Sequence, residues 1–193
     1  MSDRTLQHAG VLLIGVQREY FAEGGPLRIP DGPLVLARLR QLVESARAAH
    51  VPVFHVRHEE APGAPVFAPD GPLVETMPDV APHGLEPVIV KHTPGSFTNT
   101  ELADALDQFG VRRLVIGGFM THMCCDTTAR QASERGLDVI FLTDGTATRD
   151  LAYGDRIVPY RDVQAATLAA QADGFSTLAD VASVRAELDE AAW

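Results

Sequence analysis

Chemistry in this chain begins with sulfur. Its only two cysteines, Cys124 and Cys125, are adjacent, and neighbouring cysteines rarely meet the geometry of an ordinary disulfide. They lie in residues 117–130, GGFMTHMCCDTTAR, where an apolar run gives way to a helical pattern. Thr121 is a suitable N-cap, which would place Cys124 in the first turn of that helix. Converging backbone N–H groups and the positive end of the helix dipole there favour thiolate over thiol. Packing of small residues is the competing reading of the pair. The second reactive type is Lys91, which follows the apolar run PVIV and precedes HTPGSFTNT. An ammonium on the same rim would lower the pKa of a nearby thiol and steady an anionic intermediate; taken alone, a strand-end lysine is more often simply solvated.

These residues need a scaffold that brings strand ends together. Short β-rich apolar runs recur at Val11–Val16, Val51–Val56, Pro87–Val90, Arg113–Ile116 and Val139–Leu142, with helical patterns or loops between them. Residues 32–50 carry Leu34, Leu36, Leu39, Leu42, Val43 and Ala46 in one apolar stripe, so a helix packed on a sheet is predicted there. Helices are also predicted over Leu102–Phe109, His122–Arg135 and about Arg161–Ala172, ending before Gly110, Gly136 and Gly174. Phe175–Leu178 reads as a last strand before a C-terminal helix. Strands apolar at nearly every residue require cover on both faces, the habit of parallel sheets. The expectation is a single α/β domain over residues 1–193, a three-layer α/β/α sandwich with a mostly parallel open sheet of five or six strands. Ligands of such sheets bind beyond the strand C-termini. The Pro- and Gly-rich segment Glu59–His83 is too long for a plain connector and reads as a lid or pocket wall.

Composition narrows the functional classes. Apolar residues make up 46% and charged residues 22%, the balance of a folding chain. Sixteen Lys plus Arg against 26 Asp plus Glu leave a net charge of −10, a field that repels phosphate backbones and anionic lipid. Neither nucleic acid nor a membrane is an expected partner. No run approaches the roughly 18 apolar residues of a membrane span, and the opening MSDRTLQHAG lacks the apolar stretch of a signal peptide, so a cytoplasmic protein is expected. No phosphate loop or dinucleotide fingerprint is present, and no cofactor is expected.

Three blocks together resemble a known family. VLLIGVQREYF, VIVKHTPGSFTNTEL and GGFMTHMCCDTTARQASERGLDVIFLTDGTATRD look like the sequence blocks of the isochorismatase-like cysteine hydrolases, which include nicotinamidases and N-carbamoylsarcosine amidases. The resemblance spans roughly residues 10–180. It implies a catalytic Asp, Lys and Cys, of which the Lys falls on Lys91 and the Cys on Cys124. It also implies an oxyanion hole from the backbone N–H groups of Met120 and Cys124, beside a cis Phe119–Met120 bond.

The departure is in the first block, where Leu13-Ile14-Gly15-Val16-Gln17 puts glycine at the family's acidic position. The Asp would take the thiol proton and later deliver it to the leaving amine, and Gly15 has nothing with which to do so. Three explanations stand at this point: a ligand-binding variant with poor turnover, another base drawn from Glu19, Glu59, His58 or His122, or a substrate carrying its own acid–base group. Loss of a general base costs about 10²–10⁴-fold, so hydrolysis could survive. As the resemblance implies, vinyl-ether cleavage relies on the Asp and amide hydrolysis on the thiol. Hydrolysis of a small amide or related C–N acyl compound is therefore the leading reading, and a catalytically silent binding or scaffold protein is the alternative.

Nicotinamidases of this family hold a metal through a D-x-H arrangement. Here the region reads His55-Val56-Arg57-His58-Glu59-Glu60, without that aspartate, and histidines three apart on an extended segment face opposite ways, so no metal is expected. Gln17, Tyr20, Phe21, His58, Phe97, His122 and Met123 are the expected substrate-contacting residues. Arg57 or Arg18 would suit a substrate carboxylate, although a salt-bridged arginine is the commoner outcome. Asp144 matches a family position that looks structural. The resemblance also implies a homo-oligomer, a dimer or tetramer.

Overall fold

The structure, a computed structural model, describes residues 8–191. The expectation drawn from the opening segment rests largely on residues 1–7, outside the described residues. Among the described residues eight strands form: β1 (Ala9–Ile14), β2 (Val53–His58), β3 (Val88–Lys91), β4 (Arg113–Phe119), β5 (Asp138–Ala147), β6 (Leu151–Tyr153), β7 (Arg156–Val158) and β8 (Thr177–Ala179). The helices are α1 (Gly32–Ala48), α2 (Leu102–Gln108), α3 (Asp126–Glu134), α4 (Tyr160–Gly174) and α5 (Val181–Ala191). Six strands make one parallel sheet in the order β3-β2-β1-β4-β5-β8, flanked by helices.

Alternation along the strands divides the core between the two faces. Val11 and Leu13 of β1 pack with α1 residues Leu39, Leu42 and Val43 and with Val184 and Leu188 of α5. Leu12 and Ile14 point the other way, with Phe54, Leu102 and Leu106 of α2, and Ala129 and Ala132 of α3. All six residues of β1 are buried, as a central strand covered on both sides must be. Strand order reverses between β1 and β4, with β2 on one side and β5 on the other. This is the point where open α/β sheets leave a crevice beyond the strand C-termini.

Local chemistry sets several boundaries. Gly110 and Gly136 end α2 and the α3 segment with positive φ, as their positions predict. Asp144, in β5, accepts the Val181 N–H at 2.8 Å and pairs with Arg38 at 3.2 Å, so it joins α5 and α1 to the sheet. Asp180 caps α5 through the Ser183 N–H at 2.7 Å.

Some elements differ from the sequence reading. The antiparallel β6–β7 hairpin was not predicted; its three-residue strands lie outside the main sheet with Tyr153 and Ile157 exposed, and so carry no buried periodicity. Helix α4 includes Gly174, and β8 begins two residues after the predicted strand start. Segment 59–83 contains a 3-10 turn at Pro78–Val80 and is tied to the 3-10 turn Arg18–Phe21. The N–H groups of Arg18 and Glu19 donate to the carbonyls of Glu75 and Leu73, each at 2.9 Å. Among the described residues no helix is long and apolar enough to cross a membrane.

Candidate active site

The C-terminal ends of β2 and β3 and the segment leaving β4 converge on one buried cluster. β3 ends at Lys91, whose side chain has no solvent exposure. Its Nζ donates to Cys124 Sγ at 3.2 Å, to the Thr93 carbonyl at 2.8 Å and contacts His58 Nδ1 at 3.1 Å. An ammonium has three protons and here three partners. A buried ammonium beside a thiol favours the thiolate by direct Coulomb attraction.

Cys124 lies in a wide, π-helical turn, Thr121–Cys125, that precedes α3. Such turns carry the backbone through one extra residue and recur at functional sites. Thr121 is not the side-chain cap that its type predicts: Met120 occupies the N-cap position, and the buried Thr121 hydroxyl has no hydrogen-bond partner among the described residues. The Phe119–Met120 peptide is cis. Cys124 is 6% exposed, and Cys125 is wholly buried in the apolar layer of α2 and α3. Burial first, and then its Cys124 neighbour, push the Cys125 thiol well above the ordinary range, which leaves it inert.

Gly15 follows β1 with φ +61°. Its N–H donates to the Val56 carbonyl at 2.8 Å, and a Cβ built there would lie 2.9 Å from the Phe119 carbonyl oxygen. Glycine is thus required both by the left-handed backbone and by the closeness of β4. Gly118 meets the same boundary more severely, since a Cβ there would run into the Ile14 carbonyl oxygen.

The groups named as substitute bases fall in different places. Glu19 is buried and accepts the Phe67 N–H at 3.0 Å. Glu59 binds Arg57 at 2.8 Å. His122 Nδ1 meets the Thr148 hydroxyl at 2.6 Å, and burial, followed by Arg149, lowers its pKa. Of these four, His58 is the one whose side chain meets the Lys91 ammonium, at 3.1 Å; Glu59 reaches Lys91 through its backbone N–H alone. His58 Nε2 lies 2.9 Å from the Glu60 carboxylate, and burial followed by the Lys91 charge lowers the His58 pKa.

The residues expected to touch substrate separate likewise. Gln17 is 1% exposed and works as a brace: its amide donates to the carbonyls of His58 at 2.9 Å and Val74 at 2.8 Å and accepts the His58 N–H at 2.8 Å. With both amide protons engaged it joins β2 to segment 59–83 instead of presenting donors to a ligand. Tyr20 is buried between the rings of Phe67 and Phe119, and burial, then the two thiols, raise its phenol pKa. Phe21 packs edge-on against Phe119. Phe97 is 7% exposed, lies in the α2–α3 layer and carries the Arg135 guanidinium over its ring at 4.6 Å. It is a core residue. Met123 is exposed, one residue before the thiol.

Arg57 is satisfied by Glu59 and, at 3.9 Å, Glu75. His55 and His58 do face opposite ways, toward Glu86 and Lys91 respectively. Among the described residues no three His, Cys, Asp or Glu side chains converge in metal-binding geometry.

Three participants were missed: Glu60, Thr93 and Phe67. Glu60 had a signal, because residues two apart on an extended segment share a face and His58 lies two before it. Phe67 had none. It reaches the cluster when segment 59–83 folds back, with the Glu60 N–H donating to the Phe67 carbonyl at 3.0 Å and the Phe67 ring edge-on to His58 at 5.1 Å.

Comparison with known proteins bears on the family and the fold. The isochorismatase domain model matches residues 9–177. A secreted isochorismatase effector of Verticillium dahliae is 38% identical over 180 residues, 92% of this chain and 90% of that protein. A nicotinamidase of Arabidopsis thaliana is 28% identical over 193 residues, covering 93% and 88% of the two chains. A streptothricin hydrolase of Streptomyces noursei is 36% identical over 141 residues, 73% of this chain and 50% of that enzyme. Among solved structures, a cysteine hydrolase from Pseudomonas syringae pv. phaseolicola superposes with a TM-score of 0.93 at 25% identity, over 99% of this chain and 97% of that one. With the sheet order, the sulfur at its switch point and a family match over most of its length, this chain belongs to the isochorismatase family.

Proposed function

We propose that the protein is a cysteine-dependent hydrolase of a small amide or related C–N acyl compound, acting through a thioester acyl-enzyme. The observation that carries this reading is the 3.2 Å contact between a fully buried Lys91 ammonium and Cys124 Sγ. Cys124 is the nucleophile and Lys91 its electrostatic partner. The Met120 and Cys124 N–H groups are the proposed donors to the oxyanion. Relatives named for nicotinamide and streptothricin hydrolysis support a C–N bond as the target. The substrate is a small molecule, since the sulfur is only 6% exposed. A nucleophilic thiol works where it stays reduced, and a reducing cytoplasm is the compartment this reading implies.

Attack forms an S–C bond and an oxyanion; collapse expels the amine and leaves a thioester, which water then cleaves. The test is alkylation of Cys124 followed by intact-protein mass spectrometry, beside Cys124→Ala, with ammonia or amine release from a panel of small amides, lactams and ureides. Selective labelling at neutral pH, and release that disappears in Cys124→Ala, is the expected result. A thiol that titrates near 8.5 or above, with no release from any compound, would favour instead a ligand-binding protein without turnover. That second reading has one observation behind it, the glycine at residue 15.

A further inference from the structure

We propose that His58 and Glu60, acting through Lys91, take the place of the carboxylate that is absent at Gly15. This rests on the reading of Cys124 as nucleophile. The Lys91 ammonium is a bridge, with sulfur at 3.2 Å on one side and His58 Nδ1 at 3.1 Å on the other. Because Nζ supplies a proton toward Nδ1, that nitrogen must be the acceptor and Nε2 must carry the ring proton. Nε2 then donates to the Glu60 carboxylate at 2.9 Å, which fixes the tautomer. The chain from solvent to sulfur is therefore Glu60, His58, Lys91, Cys124.

The groups facing the imidazole are few. Lys91 ends β3, His92 follows it, and both disfavour the imidazolium; Glu60, on the extension of β2, favours it; the Phe67 ring from segment 59–83 is uncharged. His92 is itself turned to the Glu59 carbonyl at 2.7 Å. Burial and the lysine keep His58 neutral at neutral pH, with Nδ1 available to receive a proton.

Proton movement along this chain balances over a full cycle. Nζ first gives a proton to Nδ1; the amine this leaves turns its free lone pair to Cys124 and takes the Sγ–H proton, giving thiolate, ammonium and an imidazolium held by Glu60. The thiolate pair forms the S–C bond and the carbonyl pair moves to oxygen. On collapse the carbonyl re-forms, the C–N bond breaks, the leaving nitrogen takes a proton from Nζ, and Nδ1 refills Nζ. Water then adds to the thioester carbon as its proton passes through Nζ to Nδ1; the C–S bond breaks and the proton returns to sulfur. His58 is a positioning residue and proton store in this scheme, and Lys91 is the group that touches the reacting atoms.

The test uses no substrate. Cys124 alkylation by iodoacetamide is followed by intact mass from pH 4.5 to 9 in wild type, His58→Gln and Glu60→Gln, with Cys124→Ala as blank. Wild type is expected to keep a reactive shoulder below the ordinary thiol titration, because neutral His58 takes up the thiol proton through Lys91 as the sulfur reacts. His58→Gln should lose that shoulder, with the rate falling about 10-fold or more near pH 6 and returning to within about threefold of wild type at pH 9. Glu60→Gln should show the same shape with a smaller loss, about threefold. Its side chain is 49% exposed, so this variant remains informative if His58→Gln fails to fold. Profiles identical to wild type, or a rate lowered by one factor at every pH, overturn the proposal while leaving Cys124 as nucleophile. A wild-type Cys124 that does not label selectively overturns both readings.

Discussion

Strand β2 carries two histidines three residues apart, each hydrogen-bonded to a glutamate and each sharing its cluster with a cation, yet the two clusters are arranged differently. On one face His55 meets Glu86 at 2.9 Å, and Glu86 also receives two hydrogen bonds from Arg47, both at 2.8 Å, and the His83 N–H at 2.9 Å. On the other face His58 meets Glu60 and Lys91, but Lys91 divides its protons among sulfur, imidazole and a carbonyl. Glu86 has a saturated, bidentate partnership that holds charge still. Lys91 has a thiol at one of its three positions. Residue types alone do not separate a brace from a reactive centre; the number of fixed partners and the presence of a thiol do.

The comparison breaks most sharply at Lys91. Replacing it with Met removes the charge at nearly constant volume, so Cys124 alkylation at pH 7 and any amide hydrolysis should fall by about 10²–10⁴-fold. The thermal midpoint should move much less than in a cavity-forming variant, because a buried ammonium is costly to desolvate. A similar loss of labelling from Arg47→Met would show that the two clusters are not distinct after all.

The brace should give the opposite pattern. Glu86→Gln is expected to lower unfolding stability by about 1–3 kcal/mol in urea titrations, from lost hydrogen bonds to charged groups, with Cys124 labelling unchanged. Its pH dependence has a definite sign. Burial pushes the Glu86 pKa up, but hydrogen bonds from Arg47, the His83 N–H and His55 outweigh it and hold the group at about 2, below its ordinary 4.5. A depressed folded pKa gives stability that is present above the unfolded value and lost as pH falls through the folded one. The gap between wild type and Glu86→Gln should therefore close between about pH 4.5 and 2.

A smaller effect tests whether the reactive cluster can be made to resemble the braced one. Gly15→Asp offers a carboxylate at the position where the resemblance implies the family's acid, but its Cβ would fall 2.9 Å from the Phe119 carbonyl, on a backbone at φ +61°. We expect a stability loss of about 1–3 kcal/mol and no rise in hydrolysis unless the backbone of β4 shifts. A gain of orders of magnitude in turnover would mean that the glycine, not His58, limits proton transfer.

Much of the site was legible because it depends on local order. A thiol in the first turn after an apolar strand, and a lysine at a strand end, are positions that neighbours in sequence define. Segment 59–83 was legible as more than a connector from its length and proline content, but its contacts with Tyr20 and His58 come from folding back, which carries no periodic mark. Phe97 and Gln17 were expected at a ligand for their types, and tertiary packing assigned them to the core and to a brace.

Sequence determined the parallel three-layer scaffold, since strands apolar on both faces can be satisfied only between helices, and it determined that Cys124 and Lys91 would stand at strand C-termini. Tertiary structure alone decided which histidine joins them. His58 and Lys91, 33 positions apart in sequence, are brought to 3.1 Å by pairing of β2 with β3, where His58 stands opposite Lys91 in register. Strand register is set by burial of whole faces, so no local pattern around either residue announces the contact.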